Sequence, residues 1–371
     1  MRFWRVGTRT VIVLSVLIGA TGAAGVAAAQ ERQPQTPGEV LQAGVAKMQS
    51  DNKLPGVIGM VRDGGKVDYA HAGYGDMFMR VPADPKAQFR IGSNTKQFTS
   101  TVLLQLEAEH RLSLDDTVDK WLPGVVNKNG NDGKKITIRQ LLNHTSRIPD
   151  YLGDTGFGAE YAADLNPGRR WDPQQLVDLG TSKPPLDEFA YSNTNYILAG
   201  MVIKAVTGND PATEVTNRII KPLDLTNTTF PSTDPKLYGN WLHGYELIRD
   251  ISFSNVQALG AAGAIVSTMD DLANFDRALF SGRLLPPAQQ RELETVGGFT
   301  DYALGVGRVD THRCGEVYTH TGEVLGYTST WISSADGERQ VVVADNEYHL
   351  LKTDATDAEW NTAVDAFCST A

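Results

Sequence analysis

The sequence predicts an α+β fold in which both ends of the chain supply strands to one antiparallel sheet and a long, mainly helical segment lies between them. Three observations carry this. Val57 to Val61 and Val67 to Ala72 read as a hairpin around Asp63-Gly64-Gly65. Tyr302 to Val306, Val317 to His320, Thr328 to Ser333 and Gln340 to Ala344 read as strands near the C-terminus, with Asp336-Gly337 as a turn. Between these groups the apolar residues recur mostly at helical intervals. A chain of 371 residues with 41% apolar content can bury one large core or two moderate ones.

The first residues stand apart from this fold. Arg2, Arg5 and Arg9 precede an apolar run from Val11, and Ala27-Ala28-Ala29 gives way to the polar Gln30-Glu31-Arg32-Gln33. That is the pattern of a secretory signal peptide over 1–29, leaving a domain over 30–371 that is secreted or periplasmic and keeps no stable membrane anchor after cleavage. Loss of three arginines and no acid takes the net charge from −10 to −13, which makes nucleic acid an improbable partner. In an exported chain the two cysteines, Cys314 and Cys368, are expected to form a disulfide.

The elements follow in order. Gly38 to Met48 is a helix ended by Lys53-Leu54-Pro55-Gly56, and the hairpin comes next. A helix then runs from Ser93 to about His110, short pieces cover Leu112 to Leu122, and Ile136 to Leu142 leads into Asn143-His144-Thr145-Ser146. Tyr151 to Lys183, rich in Gly, Pro and Asp, reads as ordered loops lining a cleft. Phe189 to Tyr196 is a turn feeding another helix, Ala261 to Phe280 is helix-like, and Ala355 to Phe367 is the last helix. The division expected is a sheet subdomain of about 37–92 with 296–371 and a helical subdomain of about 93–295.

The stretch Phe89-Arg90-Ile91-Gly92-Ser93-Asn94-Thr95-Lys96 sets the nucleophile. Ser93 falls at a strand-to-helix junction, where free backbone N–H groups and the helix dipole favour a developing oxyanion. Lys96, one turn on, shares its helix face. A serine attacks poorly near neutral pH unless an amine or another proton acceptor is held beside it. The spacing alone is weak: Ser50-Asp51-Asn52-Lys53 repeats it, and Leu54-Pro55-Gly56 forbids a helix starting there. Context decides.

Two further stretches supply it, Tyr191-Ser192-Asn193 and His320-Thr321-Gly322. In order and separation the three resemble the Ser-x-x-Lys, Ser-Asp-Asn and Lys-Thr-Gly set of the serine penicillin-recognising enzymes, with the Tyr and His variants of the class C β-lactamase and DD-peptidase branch. Leu141 to Ser146, Lys221-Pro222-Leu223, Gly263 to Thr268 with Asp271-Leu272, and Gly326-Tyr327 look like that family's framework, so the likeness covers most of the mature chain. It is nearest to the secreted D-alanyl-D-alanine carboxypeptidases.

The resemblance implies an α/β sandwich plus an all-helical domain, a monomer without cofactor or metal, and an acyl-enzyme mechanism. Its substrates would be peptidoglycan-type peptides or small amides and esters, with β-lactams as acylating ligands. Ser93 would attack. Tyr191, its pKa lowered by the nearby Lys96 cation, would relay the proton, with Lys96 as the alternative base. Backbone N–H groups of Ser93 and Glu323 would form the oxyanion hole, and Asn193 would bind the substrate amide. His320, Thr321, Gly322 and Glu323 would line the substrate, the charge of His320 changing with pH. The most favoured activity is DD-peptidase-like hydrolysis of D-amino-acid peptides or related amides; a β-lactamase, an esterase and a non-hydrolysing penicillin-binding protein are the alternatives. Glu323 departs from the carboxypeptidase threonine, and the carboxylate-binding arginine aligns with Gly307, beside Arg308. That favours an amide, ester or amine-bearing substrate over a free terminal carboxylate. Scattered histidines and the absence of Gly-x-Ser-x-Gly argue against a metal hydrolase and an α/β-hydrolase.

Overall fold

The computed structural model describes residues 36–187, 189–297, 300–349 and 353–369. The expected signal peptide lies outside them. Helix α1 (Pro37–Asn52) is opened by a capping box between Thr36 and Glu39 and closed by Lys53 at φ 53°. Strands β1 (Gly56–Asp63) and β2 (Lys66–Asp76) form the hairpin read from the sequence, with Gly64 at φ +58° in its turn. Strand β3 (Val81–Pro82) follows at the edge.

Helix α2 (Thr95–Ala108) starts the middle of the chain, α3 (Asn193–Thr207) and α4 (Met269–Phe280) are its other long helices, and strands β4 (Gly307–Asp310), β5 (Glu316–Val324), β6 (Tyr327–Ser333) and β7 (Arg339–Asp345) precede α5 (Thr353–Cys368). The seven strands make one sheet in the order β3-β2-β1-β7-β6-β5-β4. Its pairings between named strands are antiparallel, so β1 from the front of the chain joins β7 from the back, with Val57 opposite Asp345.

Alternation along the central strands explains the layers. Val57, Val61, Val341 and Val343 pack into a cluster with Leu41 and Val45 of α1 and Phe367 of α5, while Ile58, Met60 and Val342 face the larger core beneath the other helices. Each such fully buried side chain contributes about 1.5–3 kcal/mol relative to exposure. Helix α2 docks on α4 through stacked Phe98 and Phe275 rings, 3.7 Å apart. Cys314 and Cys368 are bonded, tying the hairpin ahead of β5 to the end of α5. Among the described residues no helix is long and apolar enough to cross a membrane.

Three sequence expectations need correction. Tyr151 to Lys183 is not only loop: Asp154 and Asp172 cap helices over Thr155–Ala163 and Pro173–Gly180, and each accepts backbone N–H bonds of the first turn. Ala261 to Phe280 is not one helix. Thr268 caps α4, and the apolar run before it is a 3₁₀ turn (Gly260–Ala262) and a short strand (Val266–Ser267). Its backbone is spent on α2: Ala261 O accepts from Thr99 Oγ1 at 2.8 Å, and Ile265 N donates to Thr95 Oγ1 at 3.1 Å. Tyr302 to Val306 is a turn rather than a strand, because Gly305 at φ +86° presses against α2, where a Cβ would lie 2.5 Å from Ser100 Oγ.

Candidate active site

Ser93 sits on a single 3₁₀ turn (Gly92–Asn94) immediately before α2. Two glycines let that turn lie against β5. Gly92 has φ +51°, and a Cβ there would come within 2.9 Å of Glu323 N. A Cβ on Gly322 would fall 2.0 Å from Ile91 O, so the His-Thr-Gly strand needs its glycine for backbone contact with the nucleophile turn.

Lys96 is fully buried and all three of its ammonium hydrogens are taken. Nζ donates to Ser93 Oγ at 2.9 Å, to Asn193 Oδ1 at 2.8 Å and to Ala262 O at 2.8 Å. Burial disfavours the charged form and brings its pKa down to about 7, partly resisted by the charge of Asp150. Tyr191 hydrogen-bonds Ser93 through its hydroxyl, and its ring lies 4.8 Å from Lys96 Nζ. The structure thus brings together the serine, the amine, the phenol and Asn193 from two distant stretches, 93–96 and 191–193.

The phenol does not behave as the sequence suggested. Burial pushes the Tyr191 pKa well above its ordinary value, and the hydrogen bond from Ser93 offsets this only in part. Counting the neighbouring cation without the desolvation of the site gave the wrong direction.

His320 requires a second correction. Its Nδ1 lies 2.6 Å from Thr321 O, and only a protonated nitrogen can bond a carbonyl; Nε2 therefore accepts from Tyr302 Oη at 2.9 Å. Burial and the nearby Lys96 lower the pKa to about 3. The ring stays neutral through the working range, so the expected change of charge is absent.

His144, within the Asn143-His144-Thr145-Ser146 stretch, acts on the backbone around Tyr191. Its carbonyl accepts from Ala190 N at 3.2 Å and its Nδ1 from Ser192 N at 3.2 Å, which brackets Tyr191 on both sides. Its ring lies 4.3 Å from that of Tyr191, and Ser146 Oγ donates to Asn195 Oδ1 at 2.6 Å. The residue holds φ +61°, a strained conformation for a non-glycine. That motif was legible in the sequence as framework; its role in seating Tyr191 was not.

Two groups had escaped sequence reasoning altogether. Asp150 Oδ2 accepts from Asn193 Nδ2 at 2.9 Å, and Tyr302 holds His320. Nothing in their local spacing signals either contact. Glu323 is half-buried beside the nucleophile turn, and burial raises its carboxyl pKa, offset only in part by His349, which is itself bonded to Asp345 at 3.0 Å. Thr321 is half-buried on the same face of β5. Arg308 turns to Glu316 and forms an ion pair with it. Among the described residues no cluster of His, Cys, Asp or Glu could hold a metal ion.

A part-exposed serine bonded to a buried lysine at the start of a helix, under an antiparallel sheet built from both chain ends, defines a serine hydrolase. The comparisons give its family. A family model described as Beta-lactamase matches residues 38–365, and the chain belongs to that family. A D-stereospecific amidohydrolase from Streptomyces sp. is 38% identical, with a TM-score of 0.80 over 90% of this chain and 99% of that one. D-amino acid amidase from Ochrobactrum anthropi SV3, at 23% identity and TM-score 0.77, shares the fold. Penicillin-binding protein 4* of Bacillus subtilis is 26% identical over 311 residues, 78% of this chain and 67% of that protein. Protein flp of Staphylococcus aureus is 37% identical over 199 residues, 52% of this chain, which spans only 38% of flp.

Proposed function

We propose that this protein hydrolyses amides and short peptides of D-amino acids that carry a free α-ammonium, through an acyl-enzyme on Ser93. The observation that carries the substrate choice is Glu323, a half-buried carboxylate next to the nucleophile turn. Arg308, beside the position expected to bind a terminal carboxylate, is bound to Glu316, and His320 is neutral. An anion here attracts an ammonium and repels a carboxylate, more strongly than in bulk water. The likeness to a D-stereospecific amidohydrolase over nearly the whole chain supports the same class.

The chemistry follows the site. The Ser93 hydroxyl proton passes to neutral Lys96 as Oγ bonds the amide carbon, and backbone N–H groups of Ser93 and Glu323 hold the oxyanion. The C–N bond then breaks as Tyr191, kept protonated by its raised pKa, gives its proton to the leaving nitrogen and regains one from Lys96. Water, activated by the same amine, releases the acid. Asn193 keeps one Nδ2 hydrogen for the substrate, the other being held by Asp150.

Glu323→Gln tests the substrate choice. The expected result is a fall in kcat/KM of roughly 10- to 100-fold for a D-amino-acid amide, as for loss of a charged hydrogen bond, and a smaller fall for its N-acetylated form. Faster wild-type hydrolysis of N-acylated D-Ala-D-Ala than of the free-ammonium amide would overturn the reading.

A further inference from the structure

Asp150 does not touch the nucleophile, yet it closes a chain of contacts that ends there. Its Oδ1 accepts from Leu152 N at 3.1 Å and its Oδ2 from Asn193 Nδ2 at 2.9 Å; Asn193 Oδ1 in turn accepts from Lys96 Nζ at 2.8 Å, and Nζ meets Ser93 Oγ at 2.9 Å. We propose that Asp150 is a positioning residue that fixes which end of the Asn193 amide faces Lys96 and so aims the Lys96 lone pair at Ser93. The proposal rests on the acyl-enzyme reading above.

The two ends of a carboxamide are nearly equal in size, so packing alone does not choose between them. An ionised carboxylate only accepts, and therefore only Nδ2 can face Asp150. That leaves Oδ1 for Lys96. A neutral amine has two hydrogens and one lone pair. Asn193 Oδ1 and Ala262 O take the hydrogens, and the lone pair is left for the Ser93 hydroxyl. With the amide reversed, its N–H would point at that lone pair and block it as a base.

The charge matters as well as the orientation. Lys96 is surrounded by Asp150, by the Tyr191 and Tyr196 rings at 4.8 and 5.4 Å, and by His144 and His320, whose burial keeps both rings neutral. Asp150 is the anion in this set, and it holds the amine's affinity for a proton up against the effect of burial.

The test is Asp150→Asn, which keeps the shape and an acceptor for Leu152 but can present N–H to Asn193. With a D-amino-acid amide, kcat/KM at pH 8 should fall roughly 10- to 100-fold, the cost of misdirecting a reacting group. The low-pH limb should move to lower pH, because the anion that favours protonated Lys96 is gone. In an Asn193→Ala background the same change should cost little further rate. An unmoved limb with wild-type rate, or an equal loss in the Asn193→Ala background, would overturn the proposal. If Asp150→Asn does not accumulate as folded protein, Asp150→Ser, which still caps Leu152, is read by the same criteria. Ser93→Ala assayed alongside separates the two levels: continued turnover there removes the acyl-enzyme reading itself, whereas an inert Ser93→Ala beside an unaffected Asp150→Asn removes only this inference.

Discussion

Replacing Lys96 by methionine should lower kcat/KM by about 10³- to 10⁴-fold, within the range for loss of a general base from a nucleophile's side. The wild-type profile should rise through pH 7 and level off above it. The sign follows from the site: burial lowers the Lys96 pKa to about 7, the neutral amine is the form that accepts the serine proton, and that form accumulates as pH rises through this value. Methionine fills a similar volume without a lone pair, so the residual activity should lose the limb near 7. Lys96→Arg separates a base from a mere positive charge. A guanidinium is always protonated. If Lys96 served only to supply charge, arginine would retain much of the rate; as a base, it should be as inactive as methionine. Melting temperatures of both variants are needed, because the wild-type side chain is fully buried and bonded at three points.

Tyr191→Phe should have the second-largest effect, and it should depend on the leaving group. Hydrolysis of an amide releases a strongly basic nitrogen that must be protonated as the bond breaks, and removing the phenol should cost about 10²- to 10⁴-fold. A p-nitrophenyl ester releases a stable anion and should lose no more than about tenfold. The raised pKa of Tyr191 is what makes this assignment sensible: a hydroxyl that stays protonated across the neutral range is poised to donate. Equal losses on amide and ester would show instead that the phenol acts before the leaving group departs.

How far the sequence carried this account depends on the range of each interaction. Ser93, Lys96, Tyr191 and Asn193 were legible because each stands at a helix start beside its motif partners, and helix starts leave local marks. The sheet was legible too. Short continuous apolar runs bounded by turn residues at both chain ends mark strands buried on both faces, as β1 is between β2 and β7. The segment before α4 was misread because its apolar residues fit a helical period, while its backbone is committed to Thr95, Lys96 and Thr99 of a helix more than 160 positions earlier in the chain. Asp150 and Tyr302 were invisible for the same reason: 43 positions separate Asp150 from Asn193, and 18 separate Tyr302 from His320. The directions of the Tyr191 and His320 shifts depend on burial, which no spacing reports.

The central claim is that Ser93 becomes acylated, and trapping the adduct tests it most directly. The protein is mixed with a fluorescent penicillin and, separately, with a D-amino-acid p-nitrophenyl ester, quenched in acid within the first turnovers, digested, and mapped by mass. The account predicts the acyl mass on the peptide containing Ser93, with no adduct in Ser93→Ala. An adduct on another residue, or turnover by the wild type with no adduct from either reagent, would contradict it.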